Sequence, residues 1–165
     1  QVKGVEEDVS VKVGSVADKK EIKKFLVNTN VDMIAVAFGN AHGIYHGEPQ
    51  LNYDLVEYTT RITDIPFVVH GGSGLSDDIL KKLLSISNVK KINISTDVKL
   101  AYRTGILQAQ KDGLLEKIGF QAINVEKYIH DAISDMVCKK MNLLDIYYLK
   151  DLHLKTLHKK IVIYL

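Results

Sequence analysis

The chain has 165 residues, 46% of them hydrophobic and 25% charged, with 22 Lys and Arg against 20 Asp and Glu. This is the composition of a folded globular domain, and a net charge of +2 offers no bulk attraction for nucleic acid or an anionic membrane. The longest apolar run, Met33 to Phe38, is far short of the ~20 residues that cross a bilayer; no signal-peptide core is present, and the single Cys138 cannot form an internal disulfide or a thiolate zinc site. The expectation is a cytoplasmic protein with no nucleic-acid or membrane partner.

The chain opens with Gln1 and its first methionine is Met33, so it is expected to be part of a longer polypeptide. Its length suits one domain of ~100 to 200 residues, whereas an eight-unit βα barrel takes ~250. In chain order, DKKE at Asp18 to Glu21 reads as a capping box opening a helix whose apolar face is Ile22, Phe25 and Leu26. MIAVAF (33–38), bounded by Asp32 and Gly39, reads as a parallel strand buried on both faces. A helix over 53–63 follows a glycine-rich loop, and FVVH (67–70), between Pro66 and Gly71, reads as a second buried strand. Ser76 is the expected N-cap of the next helix, with Asp77 and Asp78 in its first turn and Leu75 and Leu80 in staple positions. KINIS (91–95) reads as a third strand, followed by a helix from Thr96 or Asp97 to about Gln110. Beyond Gly113, Val125, Ile129, Ile133 and Val137 recur on one helical face; the lysine- and leucine-rich stretch 149–165 has no assignment, and no second domain is expected. Short apolar strands alternating with helical periods imply an α/β fold with a parallel sheet.

In such folds the chemistry sits at the carboxyl ends of the strands. Six of the eleven glycines, both prolines and three of the six histidines fall between 39 and 74, where those ends are expected. His42 follows the first strand and His70 ends the second, each followed by glycine. Two imidazoles on adjacent strand ends suit a zinc ion, and a pair of satisfied core histidines is the competing reading. No convincing third ligand appears, and His46 reads as a solvated loop residue. GGSGLSDD opens a helix and offers backbone amides to an anion, although a plain tight turn has the same pattern. NIST in the next strand adds a second set of amides with the Ser95 and Thr96 hydroxyls.

AHGIYHGEPQLNYD, DIPFVVHGGSGLSDD and VKKINISTD, in that order and spacing, resemble the C-terminal half of the class II, zinc-dependent ketose-bisphosphate aldolases of the fructose and tagatose type. The resemblance covers roughly residues 4–142. It implies a parallel (β/α)8 TIM-barrel type fold, present here only as its C-terminal part, with 143–165 a divergent tail. It also implies a Zn2+ cofactor and reversible cleavage of a ketose 1,6-bisphosphate to dihydroxyacetone phosphate and glyceraldehyde 3-phosphate, by a homo-oligomeric full-length enzyme. By position, His42 and His70 resemble two of three zinc ligands. Gly43, Gly71, Gly72, Ser73, Asn93, Ile94, Ser95 and Thr96 resemble the segments that hold dihydroxyacetone phosphate, and KGVEED with Glu6 resembles the end of a glutamate-rich signature.

Departures from the pattern are specific. The family's paired aspartate and histidine, the acid/base residue and the third zinc ligand, would lie in an N-terminal half, and no Asp-His pair occurs in this chain. No catalytic residue is therefore expected here, and the isolated chain is expected to be inactive. The family's DPRKY segment reads NVEKY at Asn124 to Tyr128. The alternatives are a non-catalytic aldolase remnant or phosphate-binding domain, or another phosphate-binding barrel with two incidental histidines.

Overall fold

Residues 16–43, 45, 47–119, 121–151 and 162–164 are described in a computed structural model of the chain. Their elements are α1 (Lys19–Asn28), α2 (Tyr53–Ile62), β1 (Phe67–Val69), α3 (Asp77–Ser85), β2 (Val89–Asn93), α4 (Thr96–Lys111), α5 (Ala122–Asp151) and β3 (Val162–Tyr164). They fall into two compact units: 16–95 with 162–164, and 96–151.

The first unit is built on parallel pairing in the order β1-β2-β3. Phe67, Val68 and Val69 are all buried, the state of a strand covered on both faces. α3 connects β1 to β2, as parallel neighbours require, and packs against β2. Its start is encoded locally: the Ser76 hydroxyl accepts from the Ile79 amide, and Leu75 and Leu80 are both buried as the expected staple. Leu80, Leu83 and Leu84 form its buried face, each contributing about 1.5 to 3 kcal/mol of transfer free energy.

Three sequence expectations are corrected here. Residues 33–38 form no continuous ladder: Ile34 bridges Phe67 in parallel and Phe38 bridges Val16 in antiparallel sense. Ile34, Val36 and Phe38 are buried while Met33, Ala35 and Ala37 are exposed, so the run is buried on one face instead of two. The buried face carries Phe38, edge-on to Phe67 at 6.0 Å. The third strand begins at Val89, two residues before the expected start, and ends at Asn93. Asn88 sets this start: it adopts a left-handed φ of 69°, its side chain donates to the Ile65 carbonyl, and its own carbonyl accepts from the Phe67 amide. In α1 the Asp18 carboxylate caps the Lys20 and Glu21 amides as expected, but of the apolar face only Ile22 is buried and Phe25 is exposed. The unassigned tail supplies β3, which pairs Val162, Ile163 and Tyr164 with Lys91, Ile92 and Asn93.

The second unit is α4 against α5. Small residues Ala101, Gly105 and Ala109 recur every four positions on α4 and are buried, allowing the backbones to meet. A Cβ on Gly105 would lie 2.5 Å from Ile129 Cα. Val125, Ile129, Ile133 and Val137 are half-buried, and Lys140 of α5 pairs with Asp97 of α4 at 3.2 Å, both side chains largely withdrawn from solvent.

Candidate metal and phosphate site

The loops after residue 38 and after β1 carry the two histidines, and short-range geometry brings them side by side. Gly71 has a φ of +64°, and a Cβ there would lie 2.0 Å from the Ala41 carbonyl oxygen. Only glycine lets the backbones approach so closely. Asn40 then joins the two strand ends: its Oδ1 accepts from the Phe38 amide at 3.1 Å, and its Nδ2 donates to the His70 carbonyl at 2.7 Å.

The rings of His42 and His70 have centres 5.5 Å apart and planes inclined by 57°. Two imidazole nitrogens each ~2.1 Å from one tetrahedral ion hold their ring centres ~5 Å apart, and the observed separation is compatible with that spacing. His42 is exposed and His70 half-buried. Burial, followed by the positive fields of His42 and Lys91, holds the His70 pKa below its ordinary 6.5. Both effects favour the neutral ring, the form that can coordinate a metal. Among the described residues no third His, Cys, Asp or Glu completes a cluster. The donor set fits two positions of a zinc site.

Asn93, at the end of β2, lies against the same ring: its Nδ2 is 3.2 Å from His70 Nδ1 and 3.4 Å from Nε2. Its Oδ1 is buried and meets no hydrogen-bond donor among the described residues. Leaving such an acceptor unmatched costs about 1 to 3 kcal/mol.

The amides expected to hold phosphate are partly committed. Gly72 N–H donates to the Asn93 carbonyl at 3.0 Å, and Ser95 N–H donates to the Ser73 hydroxyl at 3.1 Å. These bonds dock the two glycine- and serine-bearing loops on each other. Gly43 is buried in the His42 loop with a φ of 105°. Ile94 is buried in the core, so its backbone alone is available to a ligand, and Thr96 begins α4 in the second unit. His46 and the KGVEED segment with Glu6 lie outside the described residues. The NVEKY segment falls in the first turns of α5, where the Tyr128 hydroxyl donates to Asp112 and Lys127 pairs with Asp131.

Sequence reasoning overlooked Asn40 and Tyr45. The Tyr45 hydroxyl accepts from the Ala41 amide at 3.0 Å, donates to the Ala41 carbonyl at 2.8 Å and lies 3.1 Å from the Gly71 carbonyl. An asparagine two residues past a strand end and an aromatic inside a glycine-rich loop were the available signals.

The chain matches the family described as fructose-bisphosphate aldolase class-II over residues 1–147. It is 35% identical over 127 residues to the 6-phospho-5-dehydro-2-deoxy-D-gluconate aldolase of Bacillus subtilis (strain 168), which covers 76% of this chain and 42% of that protein. The enzyme of the same name from Bacillus velezensis is 36% identical over the same shares. Among solved structures, the YdjI aldolase from Escherichia coli K12 superimposes with a TM-score of 0.62 at 28% identity, covering 77% of this chain and 44% of that one. The chain thus spans less than half the length of these relatives. With the match extending over most of its residues and the paired histidine loops in place, the chain belongs to the class II fructose-bisphosphate aldolase family.

Proposed function

We propose that this chain is the metal- and phosphate-bearing part of an incomplete (β/α)8 barrel, and that the whole protein to which it corresponds carries out zinc-dependent aldol cleavage of a phosphorylated keto sugar or sugar acid. The observation that supports this most directly is the His42 and His70 pair, 5.5 Å between ring centres, beside the unmatched Asn93 Oδ1. His42 and His70 would hold the ion, and zinc, when bound, acts as a Lewis acid that polarises the substrate ketone. Asn93 would accept a hydrogen bond from a substrate hydroxyl and orient the ketone end. Gly43, Gly71, Gly72 and Ser73 would bring backbone close to the phosphorylated end, with Ser95 and Thr96 kept as hydroxyl donors on the strength of the sequence motif.

A ketose 1,6-bisphosphate and a 6-phospho-5-dehydro sugar acid have in common a ketone next to a phosphorylated carbon. That shared portion corresponds to dihydroxyacetone phosphate, the part the motifs in this chain suit. The proposal therefore assigns the ketone-phosphate end of the substrate to this chain and leaves the aldehyde end, glyceraldehyde 3-phosphate or another, to residues elsewhere. The proposal keeps for the whole enzyme a cytoplasmic location, on the strength of the composition, and homo-oligomerisation, on the strength of the resemblance.

Zinc titration of the full 165-residue chain tests the site. Binding should be measurable by calorimetry, and His42→Ala with His70→Ala should abolish it. Unchanged affinity in the double variant would favour a phosphate-binding domain with two incidental histidines.

A further inference from the structure

The two histidines sit on separate loops, and a ligand pair is only as well placed as the loops are held. Asn40 ties the strand ends behind the pair, which leaves the loop that displays His42 to be ordered by something else. Tyr45 has the required contacts. Its hydroxyl accepts from the Ala41 amide at 3.0 Å and donates to the Ala41 carbonyl at 2.8 Å, so both polar groups flanking the loop's entry are held by one oxygen. The same hydroxyl also donates, at 3.1 Å, to the carbonyl of Gly71, the residue directly after His70, so its one proton is shared between the Ala41 and Gly71 carbonyls. The contact therefore runs from the residue before one histidine to the residue after the other. The ring supports the geometry: a Cβ built on Gly74 would lie 3.3 Å from Tyr45 Cδ2, so the third loop glycine lies close against the same side chain.

From this we infer that Tyr45 is a positioning residue for the histidine pair: its hydroxyl sets the separation of the His42 and His70 loops and so the strength and geometry with which they hold a divalent ion. This rests on the reading of that pair as metal ligands. A phenol is suited to the task because one group both donates and accepts, matching an amide and a carbonyl of the same residue. Phenylalanine keeps the ring packing and removes only the hydroxyl. Groups that orient metal ligands from behind typically affect metal affinity about 10- to 100-fold when removed.

The test is Co2+ titration of the 165-residue chain, followed by visible absorption, for the unmodified protein, Tyr45→Phe and the His42→Ala/His70→Ala double variant, with urea denaturation of each. The inference expects Tyr45→Phe to bind Co2+ about tenfold more weakly, with a changed absorption envelope and an unchanged cooperative unfolding transition. Equal affinity and an equal spectrum in Tyr45→Phe would overturn it while leaving the metal reading intact. Loss of cooperative folding in Tyr45→Phe would overturn it as well, by making Tyr45 a residue of the fold at large. Absence of Co2+ binding to the unmodified protein, or binding that survives in the double variant, would instead overturn the metal reading and this inference with it.

Discussion

Asn40 links two strand ends with one side chain, accepting from Phe38 and donating to His70. Each partly buried hydrogen bond is worth about 1 kcal/mol net, so Asn40→Ala should destabilise the protein by about 2 kcal/mol in urea denaturation. A loss under about 0.5 kcal/mol would show that water replaces both bonds. The two histidines were legible because residue type carried the information: imidazole beside glycine at expected strand ends. Asn40 and Tyr45 were not, because each acts on a residue 26 to 30 positions away, and no local pattern encodes a bond of that range. The low pKa of His70 is of the same kind, arising first from burial and then from His42 and Lys91.

At the scale of elements, the best-read feature was α3. Its cap and staple lie within five residues of one another, so the sequence contains all the contacts that start the helix. β2 was displaced because its register depends on β1: the pairing of Phe67 with Val89 and the turn at Asn88 define where the ladder begins. α1 shows the same limit, since periodicity identified its apolar face but cover exists only for Ile22 and, in part, Leu26. In α4, Gly105 sits against the backbone of Ile129. Alanine would gain about 1 kcal/mol in helix propensity, but its methyl would press on main-chain atoms that cannot rotate away, at a typical cost of 1 to 3 kcal/mol. Gly105→Ala is therefore expected to be destabilising by about 1 kcal/mol, measured by denaturant unfolding. A stabilised variant would mean that α5 shifts without penalty.

At the scale of the whole molecule, the question is what this chain can do unassisted. It contains no Asp-His pair, and its described residues supply two histidines toward a metal site where a catalytic zinc normally has three protein ligands. Loss of a general acid/base alone removes about 10² to 10⁴ in rate. The purified chain with zinc should accordingly show no aldol cleavage of fructose bisphosphate or of a 6-phospho-5-dehydro sugar acid in a coupled assay. Measurable turnover would place an acid/base group within these 165 residues. β3 adds a second consequence at this scale. It occupies the edge of β2, which would otherwise present unpaired amides and carbonyls to a neighbouring strand.

The sequence by itself determined the class of the fold, the helix starts governed by nearby caps, and the identity of the two imidazoles and the glycine-rich loops, because composition, periodicity and spacing act over a few residues. Only the tertiary structure decided that the rings of His42 and His70 lie with centres 5.5 Å apart, that Asn93 against His70 keeps an unmatched carbonyl oxygen, that Tyr45 joins their loops, and that the tail pairs with β2. Each of these depends on backbone segments distant in sequence approaching within hydrogen-bonding or van der Waals range, where strand register and a glycine such as Gly71 set the distances.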